Sequence, residues 1–343
     1  MEKILVTGGA GFIGSNFVRF LFRKRRKVQI TVLDKLTYAG NMNNLEGLLD
    51  RSDFKFVKGD ICNKKLLDEL LAGKDIVYNF AAETHVDRSI LKAGSFVKTD
   101  VVGTYTLLQG ALKHKLPRFV QISTDEVYGS IREGKFHEDD PLKPNSPYSA
   151  SKSGADLLVR AFHKTYGMPA VITRSSNNYG PYQHPEKFIP LFITNAIEGN
   201  TLPLYGDGMN VRDWIYVEDN CAGIDLVGRK GRVGTVYNIG AGEEMPNIAI
   251  AKKIIELVGA DDDLLTMVSD RPGHDRRYAL DTRRLKALGW RKRLSFGEGL
   301  SRTVRWYMRN ESWWKPIKGG VFKKYYSELY RDRIRRSHRK GMK

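Results

Sequence analysis

The 343-residue chain predicts an α/β fold. The architecture is a doubly wound parallel sheet with helices on both faces, joined by a smaller, interleaved C-terminal α/β domain. Three observations carry this. Short apolar runs recur with helix-length stretches between them, as strands buried on both faces require. The first run ends in a glycine-rich turn that opens a helix, and the second ends in an acid. Beyond about residue 175 the alternation gives way to prolines, glycines and aromatics in short segments, which predicts a second domain of different build.

The first strand is Ile4-Leu5-Val6. Gly8, Gly11 and Gly14 follow it, and Gly9-x-Gly11-x-x-Gly14 satisfies the dinucleotide spacing as well. Phe12 to Phe22 reads as a helix with Ile13, Phe17, Phe20 and Leu21 able to face a sheet. Glycines permit the tight turn and close backbone approach, and the helix N-terminus receives a pyrophosphate. The second strand, Val28 to Leu33, ends in Asp34, twenty residues after Gly14. A carboxylate there bonds the adenosine ribose hydroxyls and repels a 2′-phosphate. This Rossmann-like unit predicts NAD as cofactor, with the neighbouring Lys35 as the residue that would explain a preference for NADP.

Further strands are Phe54 to Val57, Ile76 to Phe80, Phe119 to Ile122 and Ala170 to Ile172. They end in Gly59-Asp60, Ala81-Ala82, Ser123-Thr124 and Arg174-Ser175. These small and polar residues form a shelf beyond the carboxyl ends of the strands, where ligands of such sheets lie. The expected partition is a dinucleotide-binding domain over 1–174, a second, interleaved domain over 175–320 and a basic tail over 321–343. Val236 to Ile239 reads as a strand that rejoins the first domain, placing the return at about 210–240.

The stretch from Ser123 to Lys152 holds the chemistry. A buried strand ends in Thr124-Asp125-Glu126, and a helix opens at Pro147, with Ser146 as N-cap and the proline where its missing N–H is harmless. Tyr148 and Lys152 are then i and i+4 on one helix face. An ammonium beside a phenol lowers the tyrosine pKa toward working pH, which yields a base for an alcohol proton.

Composition bounds the alternatives. No apolar run reaches the ~18 residues of a membrane helix, and the N-terminus leads straight into a strand rather than a signal peptide, so a cytoplasmic protein is expected. Cys62 and Cys221 lack metal-type spacing and read as reduced thiols. The net charge of +18 suits an anionic ligand, and part of it sits in Arg331 to Lys343, a basic run expected to be non-catalytic. No nucleic-acid-binding motif accompanies the charge, which leaves an NAD-sensing nucleic-acid-binding protein as the remote alternative.

Gly8-x-x-Gly11-x-x-Gly14 with Tyr148-x-x-x-Lys152 resembles the extended short-chain dehydrogenases/reductases. Within them, four stretches resemble the nucleoside-diphosphate-glucose 4,6-dehydratases: Asp34 to Asn41, Ala81 to Ser89, Ser123 to Gly129, and Arg174 to Pro190. Tyr205 to Asp219 and Asp270 to Tyr278 continue the match, which covers roughly residues 1 to 310. The adjacent Asp125-Glu126 separates this group from related epimerases and decarboxylases, the nearer alternatives, along with dehydratases of another base.

The resemblance implies a lyase in deoxysugar biosynthesis that oxidises C4 of an NDP-glucose, eliminates water across C5 and C6, and returns hydride to C6. It assigns Tyr148 to the 4-hydroxyl proton, with Lys152 and the positive nicotinamide keeping the tyrosine acidic and Thr124 bonding the same oxygen. Glu126 would remove the C5 proton, and a protonated Asp125 would give one to the departing 6-hydroxyl. Around the cofactor it implies Gly8, Gly11, Phe12, Ile13, Gly14, Asp34, Lys35, Thr37, Asp60 and Ile61. Ala81, Ala82, Thr99, Tyr148, Lys152 and Asn178 complete that set. For the nucleotide sugar it implies Thr84, His85, Thr124, Asn177, Lys187, Arg212, Asn247, Arg271 and His274, with Arg212 on the pyrophosphate. Glu186 falls equally between a site role and a structural one. A homodimer through helices near residues 95–115 and 148–165 is also implied.

Overall fold

The computed structural model describes residues 1–330 except Pro272, Val321, Tyr325 and Leu329. The basic run Arg331 to Lys343 therefore lies outside the described residues.

The first unit is β1 (Glu2–Thr7), α1 (Phe12–Lys24) and β2 (Val28–Asp34), followed by β3 (Phe54–Lys58), α2 (Lys64–Leu71) and β4 (Ile76–Asn79). Helices α3 (Val86–Leu91), α4 (Ala93–Phe96) and α5 (Thr104–Lys113) come next, with a π-helical turn, Val97–Gly103, between the last two. Then follow β5 (Phe119–Thr124), α6 (Pro147–Tyr166) and β6 (Ala170–Ser175). The chain continues with β7 (Asn177–Tyr179), α7 (Phe188–Ile197), β8 (Leu202–Tyr205), β9 (Val211–Tyr216), α8 (Val217–Lys230) and β10 (Val236–Ile239). It closes with β11 (Glu244–Pro246), α9 (Asn247–Val258), β12 (Leu265–Val268), α10 (Arg283–Ala287), α11 (Phe296–Arg309) and α12 (Glu311–Trp314).

Seven strands form one sheet in the order β10-β6-β5-β4-β1-β2-β3, and every pairing in it is parallel. β10 pairs with β6, so the chain returns to the main sheet after leaving it. One sheet face packs on α1 and α8 through Phe17, Leu21, Ile224 and Val227. The other packs on α2, α5 and α6 through Leu67, Leu107, Leu108 and Val159. Strand order reverses between β1 and β4, which opens a crevice above their carboxyl ends.

The remaining elements build a second core from Ile189, Phe192, Trp214, Ile250, Leu300 and Trp314. It contains a three-stranded sheet, β11-β9-β7, and a two-stranded one, β12-β8. No described helix is long and apolar enough to cross a membrane.

Candidate active site

Local sequence positions the catalytic segment. β5 ends at Thr124, and Asp125–Tyr128 forms a 3-10 turn whose first amides are turned inward by the Thr124 hydroxyl, which accepts from the Glu126 N–H at 3.3 Å. The turn is pinned from behind. Arg174 donates to Asp156 Oδ2 at 2.9 Å and to the Tyr128 hydroxyl at 2.8 Å, and Tyr128 donates onward to Asn238 Oδ1 at 2.8 Å. Across the gap α6 starts as expected: Ser146 and Ser149 form a reciprocal capping box, with Pro147 in the first turn.

Two cavities meet here. The first runs over the carboxyl ends of β1 to β4, lined by Gly8, Gly11, Phe12, Ile13 and Gly14, then Asp34, Lys35 and Thr37. Asp60, Ile61, Ala81, Ala82, Thr84 and Thr99 continue its wall as far as Tyr148 and Lys152. The second is lined by His85, Glu126, Asn177, Asn178, Lys187, Arg212, Asn247, Arg271 and His274. Tyr148, Gln183 and Lys187 line both. Asn178, expected at the cofactor, lines the second cavity, and Thr84, expected at the sugar, lines the first, each near the residues that line both. Lys187 ties the cavities together by donating to Thr84 Oγ1 at 3.0 Å. Thr124 and the buried Asp125 line neither cavity, but the Thr124 side chain lies within hydrogen-bonding reach of the Tyr148 phenol, where the cavities meet.

The first cavity fits a dinucleotide. A Cβ on Gly8 would come within 2.6 Å of the Ala81 nitrogen, and one on Gly14 within 2.3 Å of the Gly8 carbonyl oxygen. Gly8 also has φ +69°, which an L side chain rarely adopts. At Gly11 a Cβ would come within 3.3 Å of the Gly8 carbonyl oxygen, and no side chain caps α1 there, so its N-terminal amides remain available to an anion. Asp34 accepts from the Ala10 and Leu36 N–H groups at 2.9 and 2.8 Å. Each oxygen keeps a lone pair for a ribose hydroxyl. Lys35 is engaged by Asp60 at 2.7 Å.

The second cavity fits an anion flanked by polar groups. Arg212, Arg271 and Lys187 all act on Glu126, and the buried oxygens of Asn177 and Asn247 and Arg271 Nε lack a protein partner. Arg212 stacks over Tyr278 at 4.3 Å and donates to the Asp275 carbonyl at 2.8 Å, which fixes its guanidinium plane.

The two acids are held differently. Burial, reinforced by Glu126, raises the Asp125 carboxyl well above the carboxylate range, and its Oδ2 has no partner. Burial also raises Glu126, but Arg271, Lys187 and Arg212 oppose it. Asp125 is thus the better proton holder.

Tyr148 departs from expectation. Burial and the nearby Glu126, Asp100 and Asp125 push its phenol well above the ordinary value, not below it. Lys152 directs its ammonium at the Ile122 carbonyl, 2.7 Å away, and does not outweigh the three carboxyls.

Several site residues escape sequence reasoning. Gln183 and His184 line the first cavity, and only their position after the polar turn at Gly180-Pro181 hints at it. Asp87 faces His85 and Arg271, each at 3.7 Å. Asp100 is buried beneath Lys152, a placement no local pattern signals. Glu186 lines the second cavity yet is ion-paired with Arg88 at 2.8 Å. Burial opposes its ionisation, but His85, His184, Arg88 and Lys187 bring its pKa down to about 2.

The parallel sheet, glycine turn and Tyr148–Lys152 pair define a short-chain dehydrogenase/reductase-type enzyme, and the acid pair narrows it. The sequence model of the family described as GDP-mannose 4,6 dehydratase matches residues 5–303. The low-salt glycan biosynthesis protein Agl12 of Haloferax volcanii is 56% identical over 308 residues, 90% of this chain and 99% of that protein. A dTDP-glucose 4,6-dehydratase of Streptomyces niveus is 53% identical over 321 residues, 92% and 96% of the two chains. Among solved structures, DesIV, a dTDP-glucose 4,6-dehydratase from Streptomyces venezuelae with NAD and TYD bound, superposes with a TM-score of 0.91. It is 52% identical and covers 92% of this chain and 100% of its own. The chain belongs to the GDP-mannose 4,6-dehydratase family.

Proposed function

We propose that the chain is an NAD-dependent dTDP-glucose 4,6-dehydratase, a carbon–oxygen lyase that makes dTDP-4-keto-6-deoxyglucose. The observation that carries this is the Asp125-Glu126 pair, both acids acting on Tyr148 at the junction of the two cavities. An alcohol oxidation alone needs only Tyr148 and Lys152; a neighbouring base and a neighbouring acid suit elimination.

Gly8, Gly11, Gly14 and the open N-terminus of α1 would hold the dinucleotide pyrophosphate, and Asp34 the ribose. When bound, oxidised NAD supplies a reversible hydride acceptor and a positive charge that opposes the carboxyls around Tyr148. Tyr148 takes the proton of the sugar 4-hydroxyl, and the Thr124 hydroxyl bonds the same oxygen. Once C4 is a ketone the C5 proton is acidic, and Glu126 removes it. Asp125, which holds its proton most firmly, gives it to the 6-hydroxyl as water departs. Arg212, Arg271 and Lys187 would bind the diphosphate, while Asn177, Asn247 and His274 position the rest of the nucleotide. His85 borders the sugar end.

In this reading residues 1–174, with the return at about 210–240, carry the cofactor, and 175–320 carry the nucleotide sugar. A homodimer is part of the proposal. Val97, Val102 and Tyr105 expose apolar surface in the 97–113 region, as does Leu157 on α6. A cytoplasmic setting accords with a soluble nucleotide-sugar substrate.

The test is direct. Purified protein with dTDP-glucose should yield a 4-keto product that absorbs in strong base, faster than with UDP-, CDP- or GDP-glucose. Formation of a C4 epimer without that product would overturn the reading in favour of an epimerase.

A further inference from the structure

Beyond the motifs, the C-terminal segment carries an aromatic series. Phe322, Tyr326 and Tyr330 are helical and spaced four apart, which sets them on one face. Their rings follow one another, with centroids 5.9 Å apart from Phe322 to Tyr326 and 4.8 Å from Tyr326 to Tyr330. The series spans the two cavities. Phe322 meets the His184 ring at 6.1 Å, in the wall of the first. Tyr330, 7% exposed, lines the second and lies on Tyr205 at 5.8 Å with an interplanar angle of 25°. The matched family model stops at residue 303, so this segment is outside it.

Tyr330 stands at a definite end of the cavity. The reacting end is marked by Tyr148 and Glu126. Arg271 acts on both Glu126 and Tyr205. Tyr205 then meets His274 edge-on at 6.0 Å. The corner made by Tyr205, His274 and Tyr330 is thus connected to the acids through Arg271. A nucleotide sugar has the same layout, with reacting sugar, diphosphate and planar base in sequence.

We infer that Tyr330 is a specificity-determining residue, completing with Tyr205 the aromatic wall against which the nucleobase packs. This rests on the nucleotide-sugar reading above and adds the residue that recognises its far end. The wall is held in place. Tyr326 accepts from Asn195 Nδ2 at 3.2 Å, and Lys318 donates to Asn195 Oδ1 at 2.8 Å. The ring therefore does not have to be ordered anew when a base arrives, which favours affinity.

The experiment uses the full-length chain with Tyr330→Ala, Tyr330→Leu and Tyr330→Phe. Base stacking on one aromatic ring predicts that Ala and Leu each raise KM for dTDP-glucose about tenfold, with Phe close to the parent. Because packing of the base is made equally in the bound substrate and in the transition state, kcat should stay within about twofold. Leu keeps an apolar contact with Tyr205 and Tyr326, so it reports on the ring even where Ala unfolds the segment. Inhibition by dTDP should weaken by the same factor as KM, whereas inhibition by glucose 1-phosphate, which has no base, should not change. An unchanged KM in the Leu variant, or equal weakening of dTDP and glucose 1-phosphate, overturns the inference. A parent protein that forms no 4-keto product yet binds dTDP less tightly after Tyr330→Leu would sink the catalytic reading and keep the base-binding one.

Discussion

Ser151 Oγ donates to Asp100 Oδ2 at 2.6 Å, tying α6, which carries Tyr148 and Lys152, to the π-helical turn Val97–Gly103. Asp100 Oδ1 accepts from the Glu83 N–H at 2.9 Å. One buried carboxyl thereby spans the first cavity's wall and the catalytic helix.

That carboxyl should leave a signature in stability against pH. Burial raises Asp100 from 3.8 to about 6, against Lys152, the Ser151 hydroxyl and the Glu83 N–H, all of which favour its charge. The folded state then holds the proton more tightly than the unfolded chain. Its contribution is present below the unfolded value of 3.8 and is lost as pH rises to about 6, by roughly 3 kcal/mol. Asp100→Asn cannot titrate, so the stability difference between parent and variant should shift by that amount between pH 4 and pH 7. Urea unfolding at the two pH values measures it; parallel curves would refute the assignment.

The acids should separate by substitution. Glu126→Gln keeps its size and removes the C5 base. With dTDP-glucose it should still form reduced cofactor, while C5 deuterium exchanges very slowly. Asp125→Asn should permit oxidation and C5 exchange yet stall at loss of water. Tyr148→Phe should block oxidation itself. A general acid or base contributes roughly 10²–10⁴-fold, so single-turnover absorbance with C5-deuterated substrate has ample range. Normal deuterium washout in Glu126→Gln would show that the division of labour is wrong.

Cofactor choice should follow Asp34. NAD should bind in clear preference to NADP, since Lys35 is held by Asp60 and is not directed to a 2′-phosphate. Asp34→Asn retains an acceptor for the Ala10 or Leu36 amide but drops the charge. It should narrow the preference about tenfold or more, as a like-charge contact near the surface is worth roughly 1–4 kcal/mol. Competitive binding of the two dinucleotides decides it.

Behind the acids, Arg174 and Asp156 form an ion pair at 2.9 Å with side chains 1% and 0% exposed. Breaking it strands a buried charge. Arg174→Met should cost roughly 3–5 kcal/mol, and Asp156→Leu added to it should recover much of the loss. A double-mutant cycle by urea denaturation reads the coupling; additive losses would mean the two groups do not act as a pair.

Much of this molecule is determined locally. Ile4-Leu5-Val6 is apolar on both sides because a central parallel strand has no wet face, and Gly8 and Gly14 leave too little room for any other residue. The Ser146-Pro147 start of α6 is a short-range matter of caps and amides, so the i, i+4 placement of Tyr148 and Lys152 is legible in the sequence. So is the position of Asp125-Glu126 at a strand end. Electrostatics are different, because they depend on what converges through space. The Tyr148 phenol is raised where spacing to Lys152 alone implies lowering, since it is buried and Glu126, Asp125 and Asp100, the last 48 residues earlier in the chain, gather around it. Thr84 is joined to the second cavity because Lys187, 103 residues later in the chain, reaches back to it. Tyr330 lines the second cavity although its sequence neighbourhood carries no motif. Only the packing of distant segments into one low-dielectric site decides such residues, and that packing is what tertiary structure adds.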